Sequence, residues 1–531
     1  MQNNRTNGQF RPALALRVRL FGLASKSMGL GKLPVGYAGT NRTDPGFVFL
    51  AVTPWCLGIL LPDYYMVLFG TGLIVFLILV AMRWGDALAV IIFLSPLTML
   101  IRASNRSDML LASFEEVLVA ILMCGYVLGP PRQRGVRVHL PAVASLSAVV
   151  ILVGLEALRS GSSIAAVLAL REHCRYLILA LLVGHAVAQR RVRSRDVLWW
   201  IAVAGVGVCV FQLIYSFTDW QPFLSYFGRE AKETEEIRTI AGFALHRRAQ
   251  VTFGGPSALC DVVCPSAVVW FVLAFERGPG RVLKIATALA LLATAALTIS
   301  YSLVIALFCA AVCVVCAVVL RNIRTMAKSA RWTLAIVFAT VVVALSNVRI
   351  GGDQAGLGLS VRERMGAESS VYTKHLHFPS VGTALVGQGL EIVGGGGLRP
   401  DNCDHYGDDL VDSGWAGLLP QLGIPVSLWI LFTIGLIVWM AVKAAAASPL
   451  GAAQGSRREL TGLAACGALG ACLGSVHVLP WQNFAGLDVI FVTLIGVVIG
   501  LSARFAATPV PLGTVTVKSA HGKTPLTPAI P

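Results

Sequence analysis

Long apolar runs, separated by short polar segments that are mostly basic, make up nearly the whole of this chain. Runs of roughly 17 to 25 residues with few charges have the length a helix needs to cross about 30 Å of hydrocarbon. Helices are the form such runs must take in lipid, because backbone N–H and C=O groups left unpaired there are too costly. The pattern predicts helices near 46–61, 66–82, 87–101, 109–128, 139–157, 163–187, 197–217, 256–276, 283–300, 302–320, 332–347, 416–442, 460–478 and 486–503. No internal repeat of fixed period interrupts them. The fold class expected is therefore all-α, a polytopic transmembrane bundle of about 12 to 14 helices.

Composition agrees with the pattern. Of 531 residues, 56% are hydrophobic and 13% charged, with a mean hydropathy of +0.74. A soluble domain carries about a quarter of its residues as charges and has no way to hide this much apolar surface. The formal charge of +16 suggests nucleic acid only until its placement is considered. The cations cluster between alternate runs, at Arg83, at Arg132, Arg134 and Arg137, at Arg190 to Arg195, at Arg277, Arg281 and Lys284, and at Arg321 to Arg331. They return at Lys443, Arg457 and Arg458, and at Arg504, Lys518 and Lys523. One alternation places all of these in cytoplasmic loops, as the positive-inside rule requires, so they report orientation and not a nucleic-acid partner. Arg102, Arg106 and Arg159 are the exceptions.

The same alternation divides the chain into three parts. Residues 1–45 read as a basic cytoplasmic tail without the apolar core and cleavage site of a signal peptide. Residues 46–503 form the transmembrane domain, and 504–531 a cytoplasmic tail rich in Thr and Pro. Two long loops, 218–255 and 348–415, fall on the outer face. The second holds His375, His377 and His405 among several acidic residues. Long connections on a rigid scaffold are where function concentrates.

Cysteine usage excludes some chemistry. Nearly all of the 12 Cys lie inside apolar runs, where a thiol behaves as a small hydrophobe. Cys403 stands alone in an outer loop, so no loop disulfide is expected. Cys260 with Cys264, and Cys313 with Cys316, have helical spacings, but Asp261 is the only further ligand type beside the first pair and the second has none. No metal site is expected. Glu115, Glu116, Glu156, Arg171, Glu172 and Arg175 fall within predicted spans, where an ionisable group defaults to function. Arg171, Glu172 and Arg175 are close enough to pair on one helix or snorkel. Glu115 and Glu116 are expected near the outer end of their helix, within reach of water.

Two segments carry candidate chemistry. At the end of the first outer loop, Arg247-Arg248-Ala-Gln-Val-Thr-Phe-Gly-Gly-Pro-Ser-Ala-Leu259 leads into a helix. Gly254 and Gly255 permit a tight turn, and Pro256 suits a first helical position. Free N–H groups at an outward helix start, beside two guanidiniums, favour a phosphate, although such arginines also anchor to lipid headgroups. The second outer loop holds Tyr372 and Leu385-Val-Gly-Gln-Gly-Leu390, and its end carries Asp412-Ser-Gly-Trp-Ala-Gly-Leu-Leu-Pro-Gln-Leu-Gly423 into a long apolar run.

Both segments resemble the signatures of the O-antigen ligase and O-antigen polymerase superfamily: an Arg and Phe-Gly turn leading to Pro-Ser, and a Gly-x-Gly turn followed by a polar pair, an aromatic and a leucine-rich stretch. The resemblance spans roughly residues 160–500. Asp412 stands where ligases usually have His, which leans toward polymerases. Ser300-Tyr-Ser replaces the usual Ser-Arg pair, and the Arg expected ahead of Tyr372 is absent, with Arg362 and Arg364 nearest.

The resemblance implies a GT-C-like bundle in the bacterial inner membrane that transfers glycans from undecaprenyl diphosphate without cofactor or metal. It implies polymerisation of lipid-linked repeat units, with ligation to lipid A core or protein as the alternative; a transporter of the lipid-linked oligosaccharide is the rival from another class. Partners implied are the lipid-linked glycan, membrane lipids, and a chain-length regulator and flippase of the same pathway. Such transfer needs cations on the departing diphosphate and a base for the acceptor hydroxyl. On this resemblance Arg248, helped by Arg247, meets the diphosphate, Arg362 or Arg364 the same anion or the acceptor, and Asp412 or His405 acts as base. Tyr372 belongs to the binding set, and Trp415 stacks on a sugar or sits in the interfacial aromatic belt.

Overall fold

A computed structural model describes residues 42–61, 64–97, 114–129, 139–159, 176–217, 238–240, 243–245, 256–276, 280–296, 301–322, 349–350, 359–360, 380–387, 414–447, 457–476 and 487–507. Residues from Arg42 onward form one unit, and the described contacts fall within it. The apolar runs become helices α1 (Pro45–Leu60), α2 (Tyr65–Met82), α3 (Trp84–Leu94), α4 (Phe114–Leu128), α5 (Leu140–Arg159), α6 (Leu177–Ala188) and α7 (Ser194–Phe217). They continue as α8 (Pro256–Ala274), α9 (Arg281–Ala296), α10 (Tyr301–Asn322), the short α11 (Val381–Val386), α12 (Gly414–Ala446), α13 (Arg457–Val476) and α14 (Leu487–Ala507). The predicted helix at 332–347 lies outside the described residues, as does the first half of the one at 163–187.

Among the described residues the only strands are two small antiparallel hairpins. Arg238–Ile240 pairs with Phe243–Leu245, and Arg349–Ile350 with Leu359–Ser360. Each lies inside one of the two long loops. The described residues are thus all-helical apart from these loop hairpins. Ser194–Gln212, Leu303–Arg321 and Leu422–Ala446 are long and apolar enough to cross a membrane, and eight shorter apolar helices accompany them among the described residues.

Local chemistry explains the helix ends. The Asp44 carboxylate caps α1 by accepting from the Gly46 N–H at 3.0 Å, with Pro45 in the first turn where its missing N–H costs nothing. Pro265 lies inside α8. It has no N–H to give to the Asp261 carbonyl four residues back, so the helix loses one bond there.

Outward faces stay apolar, with Leu50, Met66, Val67, Ile74, Ile151 and Phe432 all exposed. That surface suits lipid, where a helix hydrophobic all round is at home. Inward faces pack through small residues. A Cβ on Gly474 would lie 2.6 Å from the Ile305 carbonyl oxygen, and one on Gly470 would lie 2.7 Å from that of Cys309, so α13 and α10 touch backbone to backbone. Gly496 and Gly500 of α14 repeat the device against Ala180 and Gly184 of α6. Glycines four apart sit on one helix face, and this close approach is a common way to pack helices where lipid removes the hydrophobic drive.

These contacts also fix directions. Thr43 and Asp44, just before α1, meet Asp196 at the start of α7 and Asp86 at the start of α3. Arg83, just after α2, pairs with Asp44 at 3.4 Å and with Asp86 at 2.5 Å. Glu276, just after α8, accepts from Arg195 at 2.5 Å and Lys284 at 3.5 Å, near the starts of α7 and α9. Tyr126 near the end of α4 meets His185 near the end of α6 at 2.7 Å. Arg191 stacks over the Tyr126 ring, 4.2 Å from its centre. The end of α14 joins the same side through Gly500 against Val187 and Ser502 against the Met440 carbonyl. The helix ends that loop charge assigns to one side do lie together, and they form a basic face.

Candidate functional site

The opposite face is assembled from helix starts and ends that the same packing brings together. Gly462 at the start of α13 lies against Ala444 and Ala445 at the end of α12, so those two helices run antiparallel. Gly474 at the end of α13 lies against Ile305 and Ala306 near the start of α10, and the Ser475 hydroxyl is the side-chain neighbour of the Asp261 carboxyl near the start of α8. The starts of α8, α10 and α12 therefore share one face with the end of α13. Both resembling segments enter the bundle there, one leading into Pro256 and the other into Gly414.

The second segment is shaped by two glycines. Gly423 interrupts α12 with φ 72° and ψ 171°, leaving a short helical piece from Gly414 ahead of the long span. Gly387, at the end of α11, has φ 75°. A Cβ on Gly423 would lie 2.6 Å from both the Gly387 nitrogen and the Leu385 carbonyl oxygen. Only glycine tolerates that backbone conformation and that approach together. Ser380 and Thr383 form a capping box that starts α11, each side chain bonding the other's backbone N–H at 3.1 and 3.0 Å. The stretch around Leu385, expected as a turn, is thus the end of a capped helix seated in the break of α12. The break itself was not visible in the apolar run.

Of the predicted site residues, Arg247, Arg248, Arg362, Arg364, Tyr372, His405 and Asp412 lie outside the described residues. Trp415 is in the first turn of α12. The described chain approaches the others closely in sequence. Leu245 of the first hairpin is two residues before Arg247, Ser360 of the second is two before Arg362, and Gly414 is two after Asp412.

One buried acid of this face has no part in the predicted site. Asp261 is 4% exposed, five residues into α8, and among the described residues its Oδ1 has no hydrogen-bond partner. Around it lie thiols. The Cys264 and Cys472 sulfurs interact with it electrostatically, and the Cys260 thiol is directed at the Ala295 carbonyl of α9 at 3.9 Å. Its sequence signal was an acidic residue within an apolar run, visible but weighed only as a metal ligand. Among the described residues no three His, Cys, Asp or Glu side chains gather as a metal site.

Among the other acidic residues within spans, Glu115 differs from expectation. Glu115 does not reach water. It is 2% exposed and accepts from the Tyr176 hydroxyl at 2.9 Å, because α4 turns that face toward α6. Glu156 is buried in α5. Arg171, Glu172, Arg175 and Cys403 lie outside the described residues.

Comparison with known proteins adds no name to this arrangement: no family model matches the chain, and no similar curated protein or solved structure is found.

Proposed function

We propose that this chain is a GT-C-like glycosyltransferase of the bacterial inner membrane that polymerises undecaprenyl-diphosphate-linked repeat units into a surface polysaccharide at its outer, periplasmic face. The observation that carries this reading is that the starts of α8 and α12 open on the same face, opposite the basic one. In the sequence Arg247 and Arg248 precede the first of these helix starts and Asp412 the second, and His405, Arg362 and Arg364 belong to the same loop as Asp412.

In this reading Arg248 and Arg247 neutralise the diphosphate as it departs, where charge develops in the transition state. Asp412 or His405 takes the proton of the acceptor hydroxyl as the new glycosidic bond forms. The bond broken joins the anomeric carbon to the diphosphate, which leaves on its lipid, and no metal or cofactor takes part. Gly423 and Gly387 hold the short piece of α12 that follows Asp412 in the sequence.

A transporter of the same lipid-linked oligosaccharide is the second reading, favoured by the break in α12 and by Asp261 within the bundle. Discontinuous helices and mid-membrane charges are how transporters build their sites. Purified protein in vesicles, supplied with lipid-linked repeat units, separates the readings. Lengthening of the glycan supports polymerisation, transfer to lipid A core or protein makes the chain a ligase, and passage across the bilayer unchanged makes it a transporter. Arg248→Ala and Asp412→Ala variants that insert normally are expected to lose lengthening, and full-length polymer from either would sink these assignments.

A further inference from the structure

The connection from α6 to α7 carries Arg190, Arg191, Arg193 and Arg195, and the first of them occupies a backbone conformation that favours glycine. The Arg190 N–H donates to the Val187 carbonyl at 3.1 Å and the Arg191 N–H to the Ala186 carbonyl at 2.9 Å. This pair of bonds closes a helix through one left-handed residue, usually glycine, because a side chain there crowds its own backbone. Here that residue is Arg190, with φ 57°. Among the described residues it is the only non-glycine with positive φ, while Gly280, Gly387 and Gly423 take the other such positions. Both closing bonds come from the backbone, so the helix end gains nothing from an arginine that glycine would not supply. Backbone strain of this kind persists where a side chain serves function.

The neighbouring arginines already have partners. Arg191 lies over the Tyr126 ring and donates to the Tyr126 carbonyl at 3.3 Å, and Arg195 is held by Glu276. Arg193 is exposed but within electrostatic reach of Asp196. Arg190 is exposed as well, and among the described residues no acid pairs with it. Through Arg191 the end of α4 abuts this loop, and there Val127 and Leu128 stand exposed. An exposed guanidinium beside apolar side chains, at the ends of membrane-spanning helices, suits an amphiphile with an anionic head. Its planar N–H fork matches a phosphodiester, and the apolar side chains match the acyl region beneath.

We propose that Arg190, with Arg193 three residues on, binds the phosphate of an anionic phospholipid in the leaflet beside the basic face. The site does not rest on the glycan-transfer reading, since neither arginine takes part in that reaction.

Thermal unfolding of the purified full chain in uncharged detergent tests it, because a ligand bound by the folded chain raises the unfolding temperature by mass action. Added phosphatidylglycerol is expected to raise that temperature, and phosphatidylcholine to leave it unchanged. Arg190→Gly relieves the strain, so without lipid it is expected to unfold at a higher temperature than the wild type. The same variant is expected to need about fivefold more phosphatidylglycerol for an equal rise, the worth of one cation at an anionic membrane surface. Arg190→Lys keeps both charge and strain, and is expected to follow the wild type in both measurements. An arginine that only supported the fold would move stability and lipid response in the same direction, whereas a lipid ligand moves them apart. Arg190→Gly overturns the proposal if it responds to phosphatidylglycerol as the wild type does, or if it unfolds at a lower temperature without lipid. Equal protection of the wild type by phosphatidylcholine, or by inorganic phosphate at the same concentration, also overturns it, because the partner would then not be an anionic lipid.

Discussion

The two faces of the bundle are held together by different contacts. On the basic face charges are paired across elements: Arg83 with Asp44 and Asp86, and Arg195 and Lys284 with Glu276. Each pair staples a helix end to a neighbour, and aromatic rings cover the joints, as Arg191 lies over Tyr126 and Arg83 over Phe47. On the motif face the break in α12 is held by a contact between backbones, at Gly423 and Gly387. Paired charges thus fix helix ends to their neighbours on the first face, and on the second a backbone approach that glycine alone permits does so.

The sharpest way to break this comparison is at Gly423. An alanine there keeps the composition but adds a Cβ within 2.6 Å of two backbone atoms, at φ 72°. Backbone strain alone costs about 1–3 kcal/mol, and the clash has no flexible side chain to absorb it. Gly423→Ala is expected to lower the thermal unfolding temperature in detergent by several degrees and to abolish glycan lengthening. Gly435→Ala, in the same helix with no atom within 4 Å of the added carbon, is the control. It is expected to leave the unfolding temperature unchanged or raise it slightly, since alanine favours a helix over glycine by about 1 kcal/mol. Equal loss in both variants would mean that the contact at Gly387 does not hold the motif face.

Much of the basic face was legible in the sequence, and much less of the other. Apolar runs of spanning length identify themselves one at a time, and α1 and α2 emerge where the pattern places them. Loop cations such as Arg83, Arg195 and Lys284 declare a side, because insertion reads them locally. The break in α12 gave no such signal, since Gly423 in an apolar run looks like any helical glycine until its partner Gly387 is known. That partner is 36 residues away, and α11 is too short for a periodic pattern to show. Asp261 is visible as an acidic residue in an apolar run, but its burial beside Cys472 of α13 depends on a helix over 200 residues on. The predicted site residues other than Trp415 fall outside the described residues.

A smaller effect is expected from Glu276→Gln, which keeps the shape of the side chain and removes the charge shared by Arg195 and Lys284. Glu276 is buried while Arg195 is partly exposed, so water can take over some of the loss. A fully buried pair costs about 3–5 kcal/mol to break, and this half-open one is expected to cost less, about 1–2 kcal/mol. Thermal unfolding measures it, and glycan lengthening in the inserted protein should persist. Loss of lengthening without loss of stability would show that the basic face has a catalytic share and would collapse the division between the two.

The smallest effect sharpens the comparison within the basic face. The Trp200 indole N–H donates to the Thr43 hydroxyl at 3.0 Å, while the ring packs edge-on against Phe49 and Phe93. Trp200→Phe removes the bond and keeps most of the aromatic packing, so stability should fall by the net worth of one hydrogen bond, about 0.5–1.5 kcal/mol. Trp200→Leu removes both and should fall further. If the two variants unfold at the same temperature, the polar tie to Thr43 carries the joint, and the rings around it are passive filling. If Phe behaves as wild type, the aromatic cluster holds the start of α1 against α7 without the bond. The pairing of charges at this face would then be a consequence of packing that hydrophobic contacts had already settled.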